Sequence, residues 1–241
     1  MWDGVWPALS GAFDVVRLDL RGFGESTTRP TGTWSPRADV LAVLADLGIE
    51  RGHLIGCSLG AGVCAELAVE HPELVASLLL VSPAGSLVTE RTEDLARFVD
   101  AENAALSRGD LDAATEANLV AWVDGARRRP GEVAPAIREA VRLMQRRAFE
   151  IAADWPDDVW EAEEGLEPEL VDRLGEISAP TLVLHGDLDL DAIRAAADVL
   201  VRQVPHVRRI AWPDTAHLAT MERPDDFVQL VRDWIPTIGS A

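Results

Sequence analysis

The sequence predicts an α/β fold, a mostly parallel sheet with helices on both faces, interrupted by a helical insertion. Three observations carry this reading. Short apolar runs alternate with helical patterns through the first third of the chain. From about Ala84 to Glu176 the strand signals stop and only helical patterns continue. After Ala179 the alternation of strand and helix returns. Apolar runs without polar alternation belong to strands buried on both faces, and such strands build the parallel sheets of α/β proteins.

The elements follow in order. A helix is expected over 3–12, and "FDVVRLDL" (13–20) reads as a strand rich in β-branched residues. Ser35 and Pro36 have the character of an N-cap and first helical residue for "RADVLAVLADL", which Gly48 stops. "GHLIGC" (52–57) is the next strand, "LGAGVCAELAVEH" (59–71) its following helix, and "VASLLLVS" (75–82) a third strand. Helical patterns then run over roughly 92–107, 111–124 and 132–153, punctuated by Gly109, Gly125 and "RRRPG". The second half of the core comprises "APTLVLHG" (179–186), "DAIRAAADVLVRQV" (191–204), "VRRIAW" (207–212) and "PDDFVQLVRDWI" (224–235). The expected organisation is a core from 1–83, a helical cap from 84–176 and the rest of the core from 177–241.

Composition bounds the partners. The 241 residues carry 41 Asp and Glu against 22 basic residues, all of them Arg, for a net charge of −19. A field of that sign repels nucleic acid and anionic membrane surfaces, so neither is expected as a partner. The two cysteines, Cys57 and Cys64, lie in one segment and give no disulfide framework, which suits a reducing compartment. The opening "MWDGVWPALSG" has neither the basic nor the apolar region of a signal peptide, and no apolar run is long enough to span a membrane. A cytoplasmic location is expected.

The candidate chemistry centres on "HLIGCSLGAG" (53–62), where a reactive hydroxyl ends an apolar strand between two glycines. "GCSLG" fits G-x-S-x-G, a sharp strand-to-helix turn that holds a serine in a strained conformation above the carboxyl end of a sheet. Small flanking residues are expected to let the backbone fold that tightly. The bland alternative is a glycine-rich turn or a phosphate-cradling loop. A serine hydroxyl is a weak nucleophile without a base, and the base needs an orienting carboxylate. Both stand downstream in the order that this motif favours: "TLVLHG" is followed by "DLDLD", and "RRIAW" by "PDTAHLATMERP". His217 is the candidate general base; His53, His71, His185 and His206 read as structural. Asp187, Asp189 and Asp191 compete for the orienting role. "DLDLD" also has the look of a calcium loop, but Ala192 occupies the turn-glycine position and Asp198 stands near the last ligand position where a Glu belongs, so no metal is expected.

"WDGVWPALSGAFDVVRLDLRGFGES", "GCSLGAG", "PTLVLHGDLDLD" and "DTAHLATMERPDDF" together resemble the α/β-hydrolase superfamily. Within it they are most similar to the 3-oxoadipate enol-lactonases and related cofactor-free esterases and haloperoxidase-like enzymes. The resemblance covers nearly the whole chain. It implies an α/β-hydrolase fold with a helical cap, no cofactor, Ser58 as nucleophile and His217 as base. It places the acid at Asp189, in the H-G-x-x-D pattern after His185 and Gly186, and one oxyanion donor at the backbone N–H of Leu59. A serine nucleophile points away from the haloalkane dehalogenase and epoxide hydrolase branches. One departure accompanies the match. The family places a central strand and an HG-type loop, which supplies a second oxyanion donor, before the "W-D-x-V-x-P-x-L" helix, whereas this chain begins at Met1 and Trp2. A truncated core is therefore expected, with two explanations open: Met1 is an internal residue of a longer protein, the favoured one, or the chain is a truncated product that folds poorly or pairs with another chain.

The expected activity is hydrolysis of a small carboxylic ester or lactone through a Ser-His-Asp triad. The rivals are a non-catalytic or impaired α/β-hydrolase-like binding protein, and C–C bond hydrolysis or cofactor-free perhydrolysis on the same triad. Of the cap residues Phe98, Trp122, Met144, Phe149, Trp155 and Trp160, such side chains are more often core than pocket, and Trp122 and Met144 are the candidates facing substrate. The arginines at 127–129 and 146–147 read as solvated surface, with binding of a carboxylate substrate the alternative. With a central strand missing, strands 13–20 and 52–57 must pair directly, leave a gap or recruit another molecule, which makes a homo-oligomer an expected partner.

Overall fold

The computed structural model describes residues 1–125, 127–129 and 131–238. Its sheet has four parallel strands in the order β1 (Gly52–Cys57), β2 (Val75–Val81), β3 (Thr181–Gly186) and β4 (Val207–Trp212). The apolar runs of β2 and β3 sort by alternation. Leu78, Leu80 and Val183 face one layer, made by α3 (Leu59–Glu70), α8 (Leu170–Arg173) and α9 (Asp191–Gln203). Leu79, Val81, Leu182 and Leu184 face the other, made by α1 (Trp6–Ser10) and α11 (Pro224–Ile238). Because side chains alternate across a strand, a central strand covered on both faces is apolar along most of its length, as these two are apart from the buried Ser77 of β2 and Thr181 and His185 of β3.

Two start signals act as the sequence suggests. Ser35 caps α2 (Pro36–Asp46) by accepting the Ala38 N–H at 3.2 Å, and Pro36 occupies the first helical position. Between β2 and β3 the chain is helical: α4 (Glu93–Leu106), α5 (Leu111–Asn118), a π-helical turn over Leu119–Asp124, α6 (Pro135–Ala153), α7 (Asp157–Glu161) and α8. The helical run expected over 111–124 thus changes its hydrogen-bond register at Leu119. Two short helices, α7 and α8, stand in addition to those expected.

Segment 13–20 corrects the sequence reading. It has no regular secondary structure and joins no ladder. Its side chains nonetheless alternate as a strand's would. Phe13 and Val15 pack with Ile55 and Cys57 on one face, and Leu18 and Leu20 with Leu54 on the other. Phe13, Val15, Leu18 and Leu20 carry this two-sided packing while Val16 stays exposed; a ladder also needs a neighbouring backbone within hydrogen-bond reach, and β1 is not one here. Of the alternatives raised by the sequence, direct pairing of 13–20 with 52–57 is therefore absent among the described residues. No helix among them is long and apolar enough to cross a membrane.

Candidate active site

Parallel strands bring the ends of β1, β3 and β4 to one edge of the sheet, where Ser58, Asp189 and His217 stand. Ser58 follows β1 directly and begins α3 at φ 56°, ψ −122°. A non-glycine residue at positive φ is strained, and the surroundings must hold it there. The Ser58 N–H donates to Val81 O at 2.9 Å, and Ser58 O accepts from Ala61 N–H at 2.9 Å and from Ala84 N–H at 3.3 Å. Gly56 has no room for a Cβ, which would collide with the Gly60 carbonyl and crowd the Ala61 nitrogen. Gly60 meets nothing within 4 Å. The elbow therefore needs its first glycine for space, while the second serves the first only by offering its backbone.

Asp189 is wholly buried and His217 is 3% exposed. The His217 Nδ1 lies 2.9 and 3.0 Å from the two Asp189 carboxylate oxygens, and Asp189 Oδ1 also accepts the Leu190 N–H at 2.8 Å. A carboxylate only accepts, so this geometry puts the ring proton on Nδ1 and leaves Nε2 as the basic nitrogen. Asp187 and Asp191 go elsewhere. The Asp187 carbonyl and the Asp191 carboxylate both receive Arg127, and Arg194 joins Asp191 at 3.0 Å. Asp198 pairs with Arg209. Thus only one of the "DLDLD" carboxylates meets the imidazole. No hydrogen bond joins Ser58 Oγ to that ring among the described residues; such bonds commonly tighten only once substrate is bound.

The neighbouring thiol is no rival for the nucleophile. Burial pushes Cys57 up to about 12, and the Asp189 charge adds to the effect. It is therefore protonated at neutral pH, and a thiol without its thiolate is inert. Leu59, 37% exposed, begins α3, where the first N–H groups have no carbonyl behind them and favour negative charge.

The residues expected to face substrate separate. Trp122 rides the π-helical turn and lays its indole on His217, with ring centroids 4.4 Å apart; Phe98 backs it edge-on at 4.9 Å. Met144 lies on α6 with Sδ 3.2 Å from the Met1 nitrogen and is not part of the apolar cleft beside the elbow. That cleft, of about 210 Å³, is lined by Phe23, Trp34, Leu59, Ala148, Phe149 and Trp160 among others. The carboxyl of Glu163 also reaches it, raised above its ordinary range by burial and by the charge of Glu66. Trp155 packs into the Trp34 cluster and is core. Phe149 and Trp160, grouped by the sequence with side chains more often core than pocket, line the cleft instead; Phe23, in the "RGFG" loop, gave no signal of its own.

Arginines read as solvated surface carry more than that. Arg127 donates to Asp187 O at 2.8 Å and Asp191 Oδ1 at 2.9 Å. Arg128 is paired with Glu222 and donates to Asp214 O at 2.7 Å. Both contacts tie the segment after the π-helical turn to the loops that hold Asp189 and His217. Arg146 is bound to Asp112 and Glu150 on the surface.

The fold and this edge of the sheet define a class. The chain belongs to the alpha/beta hydrolase fold family, whose model matches residues 1–224. Among similar proteins, a pimeloyl-[acyl-carrier protein] methyl ester esterase of Aeromonas hydrophila subsp. hydrophila is 28% identical over 242 residues, covering 98% of this chain and 90% of that esterase. The solved structure of Est816, described as an N-acyl homoserine lactone degrading enzyme, is 26% identical with a TM-score of 0.66, covering 90% of this chain and 81% of Est816. The enol-lactonase of Burkholderia xenovorans LB400 shares the fold at a TM-score of 0.73 and 24% identity, covering 98% of this chain and 85% of that one.

Proposed function

We propose that this α/β hydrolase cleaves a small carboxylic ester or lactone through an acyl-enzyme on Ser58. His217 Nε2 takes the Ser58 proton as Oγ attacks the carbonyl, and returns it to the leaving alcohol or, in a lactone, to the ring oxygen. Water then repeats the sequence in reverse roles and frees the acid. Asp189 fixes the tautomer and orientation of His217, and the Leu59 N–H stabilises the developing oxyanion. The observation that carries the reading is the buried Asp189–His217 pair on the same sheet edge as the strained Ser58. Trp122 forms the wall over the base, and the helices between β2 and β3 act as a lid. The open apolar cleft beside Leu59 favours an uncharged acyl or alkyl group, because seating a charge among its apolar side chains costs desolvation. The 28% identical methyl ester esterase supports ester chemistry, and Est816 supports lactone chemistry. The two free thiols are in keeping with a reducing cytoplasm.

A fluorophosphonate probe tests the reading. It is expected to label Ser58, and Ser58→Ala is expected to abolish both labelling and turnover of p-nitrophenyl acetate while leaving the melting temperature nearly unchanged. Residual turnover above about a thousandth of wild type identifies a different nucleophile. Folded wild type that resists the probe overturns the proposal in favour of a binding protein built on the same fold.

A further inference from the structure

The helical segment returns to the core through Gly125, Arg127 and Arg128, and there it touches both loops of the proposed catalytic pair. Gly125 ends the π-helical turn at φ 75°, and a Cβ on it would stand 2.6 Å from the Leu188 carbonyl and 3.0 Å from the Ala216 Cβ. Arg128 and Glu222 form an ion pair with side chains only 8% and 10% exposed. Arg128 also donates to the carbonyls of Asp214 at 2.7 Å and Val123 at 3.3 Å. Glu222, at the end of α10 (Ala219–Glu222), uses its other oxygen to accept the Ala216 N–H at 2.9 Å. Ala216 precedes His217, and the loop has just turned through Asp214 at φ 57°. One carboxylate thus grips the backbone next to the imidazole, and one guanidinium grips both that carboxylate and the strained turn.

We propose that Glu222 is a positioning residue for His217, held in place by Arg128, so that the base is fixed in register with Ser58 by the segment that carries Trp122. This rests on the hydrolase reading above. A loop of polar backbone needs its groups satisfied to hold one conformation, and the Asp189 bond fixes only the ring's Nδ1 end. The Glu222–Ala216 bond fixes the chain on which the ring is mounted. A buried charge pair suits this task better than it suits stability, since desolvation offsets most of its attraction. Displacing a base by about 1 Å is enough to lose on the order of 100-fold in rate.

The test measures turnover of p-nitrophenyl acetate and the downfield Nδ1–H proton of His217 by NMR, in wild type and four variants. Labelling of wild-type Ser58 is established first; its failure counts against the hydrolase reading and not against the role of Glu222. Glu222→Ala is expected to lose about 30- to 100-fold in kcat with KM within about twofold, and to lose the downfield proton signal. Glu222→Gln keeps an acceptor for the Ala216 N–H and is expected to recover to within about fivefold of wild type. Arg128→Met is expected to lose about tenfold, and the Arg128→Met/Glu222→Ala double variant no more than Glu222→Ala alone, because the two act as a unit. The idea is overturned if Glu222→Ala turns over like wild type, if its loss lies in KM, if Gln rescues nothing or if the two losses multiply. Should Glu222→Ala unfold, Arg128→Met and Glu222→Gln decide between the outcomes. A folded Arg128→Met at wild-type kcat overturns the proposal, as does global unfolding of Glu222→Gln, which would make the pair a prop of the fold.

Discussion

At the scale of single residues, the site is a set of specific demands on side-chain size and charge. Three aspartates within five positions look alike in sequence, yet only Asp189 is buried against His217, because Asp187 and Asp191 lie at the outside of the turn where Arg127 meets them. Asp189→Asn is therefore expected to lose about 10³–10⁴ in kcat, since an amide stabilises the wrong tautomer and cannot offset the imidazolium. Asp187→Asn should stay within about threefold. Steady-state turnover of the two variants side by side checks this, and equal losses would refute the assignment. The glycines of the elbow make a second pair of unequal neighbours. A methyl at Gly56 collides with backbone that cannot move, so Gly56→Ala is expected to destabilise by about 3 kcal/mol or more. A methyl at Gly60 enters open space on the first turn of α3, where Ala is preferred to Gly by about 0.5–1 kcal/mol. Urea denaturation of both variants should give opposite signs. G-x-S-x-G reads symmetrically in the sequence, and the asymmetry is visible only once the helix has folded back over the strand.

At the scale of elements, the strands and long helices were legible because their signals are local: continuous apolar runs for β2 and β3, Ser35 and Pro36 for α2. The π-helical turn was not. The single extra residue per turn leaves the apolar spacing of 119–124 readable as ordinary helix, although it is this change of register that sets Trp122 on His217. The roles of Arg127 and Arg128 were equally hidden, because their partners lie 60 to 94 positions away in sequence. Strand β3 carries a further polar element of this kind. His185 is buried, and its Nε2 accepts from Arg209 Nε at 2.7 Å while Nδ1 faces the Gly186 carbonyl at 3.2 Å. The ring is thus held neutral, with its proton on Nδ1. Burial lowers its pKa, the Gly186 carbonyl works against this, and the Arg209 charge assists it. A folded-state pKa below the unfolded value near 6.5 means that this stability is fully present above about pH 6.5. It is lost as pH falls through the folded pKa. Wild type is expected to lower its urea midpoint between pH 7.5 and 5.5 more than His185→Gln does, and a parallel pair of midpoints would refute the link.

At the scale of the whole molecule, the unusual feature is the outer side of β1. Strands β2 and β3 are paired on both sides, while β1 pairs with β2 alone and carries the Ser58 elbow at its end. The segment 14–20 runs past with its side chains docked on both faces but gives β1 no ladder bonds among the described residues. Leu54 and Ile55 are consequently only partly buried, where their counterparts on β2 are wholly so. Open N–H and C=O groups beside an apolar strand are a template for pairing with another chain, and proteins that tolerate such an edge usually guard it with charge or proline. Here the net charge of −19 supplies a general repulsion that salt screens, since the Debye length falls from about 10 Å at 0.1 M to about 3 Å at 1 M. Association of this chain through β1 is therefore expected to rise with both protein and salt concentration, the reverse of an interface built on ion pairs. Light scattering after size-exclusion chromatography at 0.05 M and 1 M sodium chloride measures it. Replacing Ile55 by Lys would add an edge charge but disturb the core beneath Cys57, so His53→Lys is the cleaner control. His53 is exposed on the same strand, and a charge there should suppress the high-salt oligomer. A chain that stays monomeric at both salt concentrations would mean that segment 14–20 shields the edge by packing alone.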